Sequence, residues 1–404
     1  MSTTGLIYHA FGVCGYRARR TEYVGGEVHI TIDQPDSKLR CSLCRSRRVT
    51  RRGGRTRRFR GLPIGPRPVW FVFSVPRLEC KHCGVVRQAE IPFAPGQHSY
   101  TKRFAQYVVQ LARLMAMSDV AKHLRVSWNM VKDLLKEALL QRFREPRLKD
   151  LRLLAIDEIS IGGGHRYLTV VLDLETGAVV FIGDGKGEEA LDPFWKRLRR
   201  SRARIKAVAT DMSQAYINAV RKSLPHAVLV FDHFHVVKLM NDKLADLRRT
   251  LQRKAEDEQK AVLKGSRWLL MKNPQNLDQA RDEPKRLQEA LKLNAPLAAG
   301  YYLKEDLRQL WSQPNKQCAA RFLDGWIDRA RATGIPQLVT MSNTLSIHRE
   351  GLLAYYDVPI STGPLEGTNN KIKTLQRQAY GYRDQEFFRL RIFALHETRW
   401  ELVG

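Results

Sequence analysis

"LRLLAIDEISIGGGHRYLTVVLDLETGAVVFIGDG", residues 151–185, holds three apolar runs separated by two glycine-bearing turns. The first run, residues 151–161, has the composition of a buried strand and carries Asp157 and Glu158. "GGG" at 162–164 turns the chain, and residues 166–174 read as a second strand. "ETG" at 175–177 turns it again before a third strand over 178–185. Three short strands with tight turns predict an antiparallel meander. A glycine-rich stretch can also signal phosphate binding, but a P-loop needs Gly-Lys-Ser/Thr leading into a helix. Here the glycines stand between two strands, so a hairpin turn is expected.

Downstream, residues 188–200 read as a helix and "IKAVATD", residues 205–211, as a fourth strand. Residues 213–224 form a second helix and "AVLVFDH", residues 227–233, a fifth strand. The order βββ-α-β-α-β is that of an RNase H-like domain. In that topology the first and fourth strands are neighbours. Asp157, at the carboxyl side of the first, and Asp211, ending the fourth, are therefore expected to meet at one edge. Paired carboxylates suit Mg²⁺, a hard cation that prefers oxygen ligands. Two such ions can clamp the attacking and leaving oxygens of an in-line phosphoryl transfer. Strand alternation sends Glu158 to the face opposite Asp157, which makes it structural.

After residue 238 the strand signal stops. Met240, Leu244, Leu247 and Leu251 recur at helical spacing, and helices continue to about residue 357. "STGPLEGTNNKIKTLQRQAYGYRD", residues 361–384, then supplies a third carboxylate. Pro364 suits a first helical turn. Glu366, Asn370, Lys373 and Arg377 share one face, and Leu365, Ile372 and Ala379 another. One acid followed by an amide and two cations fits metal binding by Glu366 with phosphate contacts from the rest.

Upstream, residues 99–139 predict a helix-turn-helix. Ser118 is expected to cap a helix over 119–124, Arg125-Val126 to turn, and Ser127 to cap a second helix from Trp128. Val120, Leu124, Val131 and Leu134 would point inward, and Trp128, Asn129 and Lys132 would open the recognition helix. Earlier still, Cys41-Ser-Leu-Cys44 and Cys80-Lys-His-Cys83 are two CxxC pairs. Two such knuckles make a four-cysteine Zn²⁺ site. Gly84 suits the tight backbone of one knuckle, and His82 is expected to face solvent. A zinc ribbon follows, with residues 68–76 as a strand and an arginine-rich loop between the pairs. That stretch, residues 45–60, holds nine arginines and no acid, among them Arg47, Arg48, Arg51, Arg52, Arg57 and Arg58.

The 404 residues carry 69 Lys and Arg against 41 Asp and Glu, a net charge of +28. Such an excess points to a polyanionic partner. No run approaches the roughly 18 apolar residues of a spanning helix, which disfavours a membrane. The N-terminus lacks the pattern of a signal peptide, so a cytoplasmic, nucleoid-associated protein is expected. Six cysteines in that compartment do not suggest a disulfide framework.

The chain resembles bacterial insertion-sequence transposases of the ISL-three family. The resemblance lies in "AIDE" at 155–158, "HRYLTVVLDLETG" at 165–177, "TDMSQAY" at 210–216, "FDHFHVVK" at 231–238 and "GPLEGTNNKIKTLQRQAYGYR" at 363–383. It extends over the cysteine pairs and the helix-turn-helix. It implies Asp157, Asp211 and Glu366 as a DDE triad with Mg²⁺ or Mn²⁺. Related families with a helical insertion carry Cys/Asp-x-x-His after the fifth strand, a spacing Asp232 and His235 match. That places the pair beside the acids, to orient a metal ligand, bind phosphate or fix the corner.

The expected architecture is multidomain: a zinc ribbon over 1–96, a helical helix-turn-helix domain over 97–148, and an α/β RNase H-like core over 149–238 and 361–404. An all-α insertion over 239–360 interrupts that core. The expected activity is DNA transposition: recognition of terminal inverted repeats, metal-dependent end cleavage and attack of the freed 3′-OH on target DNA. Holding two ends together implies a dimer or larger assembly. A non-catalytic regulator derived from a transposase is the alternative, and the presence of all three acids favours the enzyme.

Overall fold

The computed structural model of the protein describes residues 5–162, 166–379 and 381–396. The chain divides into two compact units, Met1–Arg144 and Glu145–Gly404.

The first unit is built on a five-stranded sheet of β1 (Arg17–Val24), β2 (Glu27–Asp33), β3 (Val49–Ile64), β4 (Arg67–Cys80) and β5 (Val86–Gln88). The order is β1-β2-β4-β3, with β5 also pairing β4. β2 alternates strictly, burying Val28, Ile30 and Ile32 against Phe59, Phe71 and Phe73. The arginine run is not a loop. It forms most of β3, paired antiparallel with β4 from Val49↔Cys80 onward. Two long strands joined by a tight turn satisfy one another's backbone groups, which a 16-residue loop could not do.

Three helices follow in this unit, Lys102–Leu114, Met117–Leu124 and Trp128–Phe143. The second starts two residues earlier than expected and is preceded by Ala116, so Ser118 is not its cap. Ser127 does cap the third, accepting the Met130 N–H at 3.2 Å. Arg125 turns the chain at φ 51°, the left-handed region usually left to glycine. Val120, Leu124, Val131 and Leu134 are buried, as the spacing required.

Arg60 joins the sheet to these helices. It is only 3% exposed, lies against Trp70 and Phe104, and donates to the Leu124 carbonyl at 2.8 Å. Arg60→Ala would leave that carbonyl unsatisfied and remove the packed stem. Urea unfolding of this variant should show a loss of about 2–4 kcal/mol; a loss under about 0.5 kcal/mol would contradict this role.

The second unit carries the sheet β10-β9-β6-β7-β8. β6 is Leu153–Gly162, β7 Arg166–Asp173, β8 Val179–Asp184, β9 Ala207–Thr210 and β10 Val228–Phe231. β6, β7 and β8 form the expected antiparallel meander, and β9 and β10 run parallel to β6. Gly162 pairs with Arg166 across the first hairpin, while Gly163, Gly164 and His165 lie outside the described residues. Helices Asp192–Ser201 and Gln214–Ser223 cover one face through Phe194, Trp195, Leu198, Tyr216 and Val220. Helix Gly363–Gln378 covers the other through Leu365, Ile372 and Leu375.

β10 stops at Phe231, and His233 already belongs to the long helix His233–Lys254, so the expected fifth strand is two residues too long. The expected boundary at 238/239 falls inside this helix. Its Val236 and Met240 pack with Leu307, Leu323, Trp326, Leu338, Met341 and Leu352 in one apolar cluster that includes Phe231. The helical segment is therefore rooted in the sheet edge by a continuous core.

Candidate active site and zinc centre

Asp157 does not end its strand, because β6 continues to Gly162. What ends before it is the parallel pairing with β9, whose last partners are Ala155↔Ala209. Continuing that register by two residues sets Asp157 opposite Asp211, which directly follows β9. The two expected carboxylates therefore come to the same sheet edge. One oxygen of each is held by backbone: Asp157 Oδ1 accepts the Glu158 N–H and Asp211 Oδ1 the Ser213 N–H, both at 2.9 Å.

Burial pushes the Asp157 carboxyl up to about 6; His235 opposes the shift, and Glu158 and Asp211 add to it. Glu158 is raised too, by burial and then by Asp211, with His235 again opposing. Burial, more than neighbouring charge, is thus what disfavours ionisation here. Glu158 does lie on the face opposite Asp157, the face covered by Tyr216, yet it stays within electrostatic reach of Asp211 and His235.

The Gly363–Gln378 helix meets this edge through a residue the sequence did not single out. Asn369 Nδ2 donates to Asp157 Oδ2 at 2.9 Å. Asn369 is buried, and its Oδ1 has no hydrogen-bond partner among the described residues. Its position four residues after buried Leu365 and three before Ile372 was the available signal. Glu366, one turn earlier, is exposed, as are Asn370, Lys373 and Arg377. Leu365 and Ile372 are buried, and Ala379 is half-buried.

The three acids do not close on one another. Among the described residues, the four cysteines are the one group of three or more His, Cys, Asp or Glu ligand atoms lying within 4.8 Å. The residues at the edge still fit a hard cation. Two carboxylates at one edge and an unpartnered amide oxygen form an oxygen-only donor set.

Asp232 and His235 take different places. Asp232 is buried and bonded to Thr362. His235 is half-buried at the acids, where it acts on both Asp157 and Glu158.

The four cysteines meet as expected, with Cys41–Cys83 Sγ atoms 3.7 Å apart and Cys44–Cys80 3.5 Å. Zn–S bonds of about 2.3 Å in a tetrahedron need sulfurs about 3.8 Å apart. Backbone hydrogen bonds at Cys83 and His82 hold the Cys80 thiol down to about 6. Each knuckle turns in the left-handed region one residue past its second cysteine, at Arg45 (φ 60°) and Gly84 (φ 70°). His82 is exposed.

Of the arginines expected at DNA, Arg47 and Arg48 are exposed. Arg51 pairs with Asp36 and Arg52 with Glu79, each at 2.7 Å, and Arg58 with Glu27 at 3.2 Å. Arg57 donates to the Gln97 and His98 carbonyls. Trp128 and Asn129 stand exposed at the start of their helix, and Lys132 is half-buried.

Three family models match the chain. One described as "Transposase", the DDE domain of ISL3 elements, covers residues 154–392. "Helix-turn-helix domain of transposase family ISL3" covers 89–139. "Zinc-finger of transposase IS204/IS1001/IS1096/IS1165" covers 37–83. The transposase for insertion sequence element IS1001 of Bordetella parapertussis is 36% identical over 94% of this chain and 95% of its own length. The transposase for IS1557 of Mycobacterium tuberculosis is 30% identical over 90% of this chain and 87% of its own. Among solved structures, a Drosophila P element transposase strand transfer complex matches with TM-score 0.40 and 13% identity, over 72% of this chain and 91% of that one.

Proposed function

The chain belongs to the ISL3 family of transposases, and from that premise we propose that Asp157, Asp211 and Glu366 form its catalytic carboxylate set. The observation that carries this reading is the register of β6 and β9, which brings Asp157 and Asp211 to one edge. The Asn369–Asp157 bond supports the third member, because it fixes the helix one turn from Glu366.

Asp157, Asp211 and Glu366 would hold Mg²⁺ or Mn²⁺. When bound, such an ion lowers the pKa of attacking water or hydroxyl and neutralises charge on the scissile phosphate. The chain's own groups do the positioning. Asn369 orients the Asp157 carboxylate, and His235 offsets the negative charge around it. Exposed Asn370, Lys373 and Arg377 continue from Glu366 along one helix face, where they contact phosphates. The zinc ribbon and helix-turn-helix grip the terminal inverted repeats, with Trp128, Asn129 and Lys132 at base edges and Arg47 and Arg48 on the backbone. The same in-line geometry serves cleavage of the element end and attack of the freed 3′-OH on target DNA. Two ends must be handled together, so the working form is a dimer or larger assembly.

The test is strand transfer by the purified chain. A labelled fragment carrying one element end, with Mg²⁺ and a target plasmid, should yield a nick at the end and then a covalent joint to the plasmid. Cleavage that never proceeds to joining would instead describe a nuclease. DNA binding without either step would describe a regulator.

A further inference from the structure

We propose that Asp232 is a positioning residue that locks the Asp211 strand end to the Glu366 helix across the helical insertion. The proposal rests on the reading of Asp211 and Glu366 as catalytic.

The geometry forms one continuous chain of hydrogen bonds. The Asp232 backbone N–H donates to the Thr210 carbonyl at 3.0 Å, and Thr210 is the residue directly before Asp211. The Asp232 carboxylate accepts the Thr362 hydroxyl at 2.8 Å through Oδ2 and the Thr362 N–H at 3.3 Å through Oδ1. The Thr362 carbonyl in turn accepts the Glu366 N–H at 2.9 Å. Asp232 is 1% exposed and Thr362 2%. Two residues thus connect the backbone beside the second acid to the backbone bonded to the third, although 130 positions separate them.

Of the three roles the sequence left open for Asp232, orienting a metal ligand, binding phosphate and fixing the corner, this arrangement disfavours the second. Phosphate binding needs a donor or a cation at the surface, and this group is a buried acceptor. What remains is more specific than a corner brace. Asp232 also precedes the first residue of the helix that enters the insertion, and Thr362 precedes the first residue of the helix that leaves it. The bond joins the entry to the exit. It holds Glu366 at the sheet edge without requiring the insertion itself to be rigid. Closing a loop of that length has an entropic cost that a fixed pair of bonds must offset.

The experiment uses the full-length chain and two readouts: loading with Mn²⁺ followed by loss of the free-ion EPR signal, without DNA, and end cleavage. Thr362→Val removes the hydroxyl at constant shape, Thr362→Ser keeps it, and Asp232→Asn weakens the acceptor. Thr362→Val and Asp232→Asn should each raise the Mn²⁺ concentration for half-loading several-fold and slow cleavage by about 10- to 100-fold. Thr362→Ser should behave as wild type. The double variant should be no worse than the more affected single, since both changes break one link. With Glu366→Gln already present, Asp232→Asn should cause no further loss of loading.

Unchanged loading in Thr362→Val and Asp232→Asn, beside weakened loading in Glu366→Gln, overturns the lock. So does a further loss caused by Asp232→Asn when Glu366→Gln is present, which would make Asp232 a ligand in its own right. If Glu366→Gln alone leaves loading and cleavage intact, the reading of Glu366 fails, and that result stands in its own arm. Should Asp232→Asn not fold, the Thr362→Val and Thr362→Ser pair decides.

Discussion

Asp157→Ala, Asp211→Ala and Glu366→Ala are each expected to lower metal-dependent cleavage of an element end by about 10³-fold or more, equivalent to about 4 kcal/mol of barrier. The physical reason is that Asp157, Asp211 and Glu366 would hold the cation that supplies charge stabilisation to the scissile phosphate. A site that loses one of few carboxylates loses cation affinity and geometry together. Binding to the inverted repeats should be largely retained, because the zinc ribbon and most of the helix-turn-helix domain proposed to grip them belong to the other compact unit, and Asn370, Lys373 and Arg377 stay in place. Gel-shift affinity and cleavage rate, measured on the same preparations, separate the two. Any one of the three retaining a near-wild-type rate would remove that residue from the set. Asp211→Asn and Asp232→Asn form the sharper comparison. Loss of all cleavage in Asp232→Asn with full activity in Asp211→Asn would mean that the neighbouring strand carries the second acid.

The second large effect is expected at the cysteines. Purified protein should carry about one zinc per chain, and Cys41→Ser or Cys80→Ser should lose it. Structural zinc contributes about 10–16 kcal/mol in small domains, comparable to or larger than the whole stability of an ordinary one. The two cysteine pairs flank the open end of the β3–β4 hairpin, where Val49 pairs with Cys80. Without the ion, only weak thiol–thiol contacts would remain, Cys41–Cys83 at 3.7 Å and Cys44–Cys80 at 3.5 Å. Loss of metal should therefore fray the hairpin from this end, seen as lost amide protection in Val49–Arg52 and Leu78–Cys80. Retained protection in metal-free Cys80→Ser would show that packing alone holds the knuckles.

The helix-turn-helix and the RNase H-like strand order were legible because they depend on local signals. Periodicity, glycine turns and the Ser127 cap act within a few residues. β2 was equally legible and overlooked: Val28, Ile30 and Ile32 alternate with His29 and Thr31 in a strand of period two. The arginine run misled because its charge suggested a loop. A long hairpin tolerates arginine wherever side chains reach solvent or a partner acid, and the ion pairs of Arg51, Arg52 and Arg58 show how this strand manages it.

The sequence by itself determined the inventory: four cysteines in two pairs, a capped helix pair, five strands in a recognisable order, and acids at the right strands. Each of these follows from chemistry within a short span. Tertiary structure decided the partnerships across long separations. Asn369 rather than Asn370 touches Asp157, because the packing of Leu365 and Ile372 sets the rotation of the helix. Asp232 bonds Thr362 because the insertion returns to the point where it leaves the sheet. Arg60, one of nine arginines in its run, is buried with its guanidinium on the Leu124 carbonyl. In all three cases the deciding quantity is the distance between residues far apart in the chain, which only the closed fold defines.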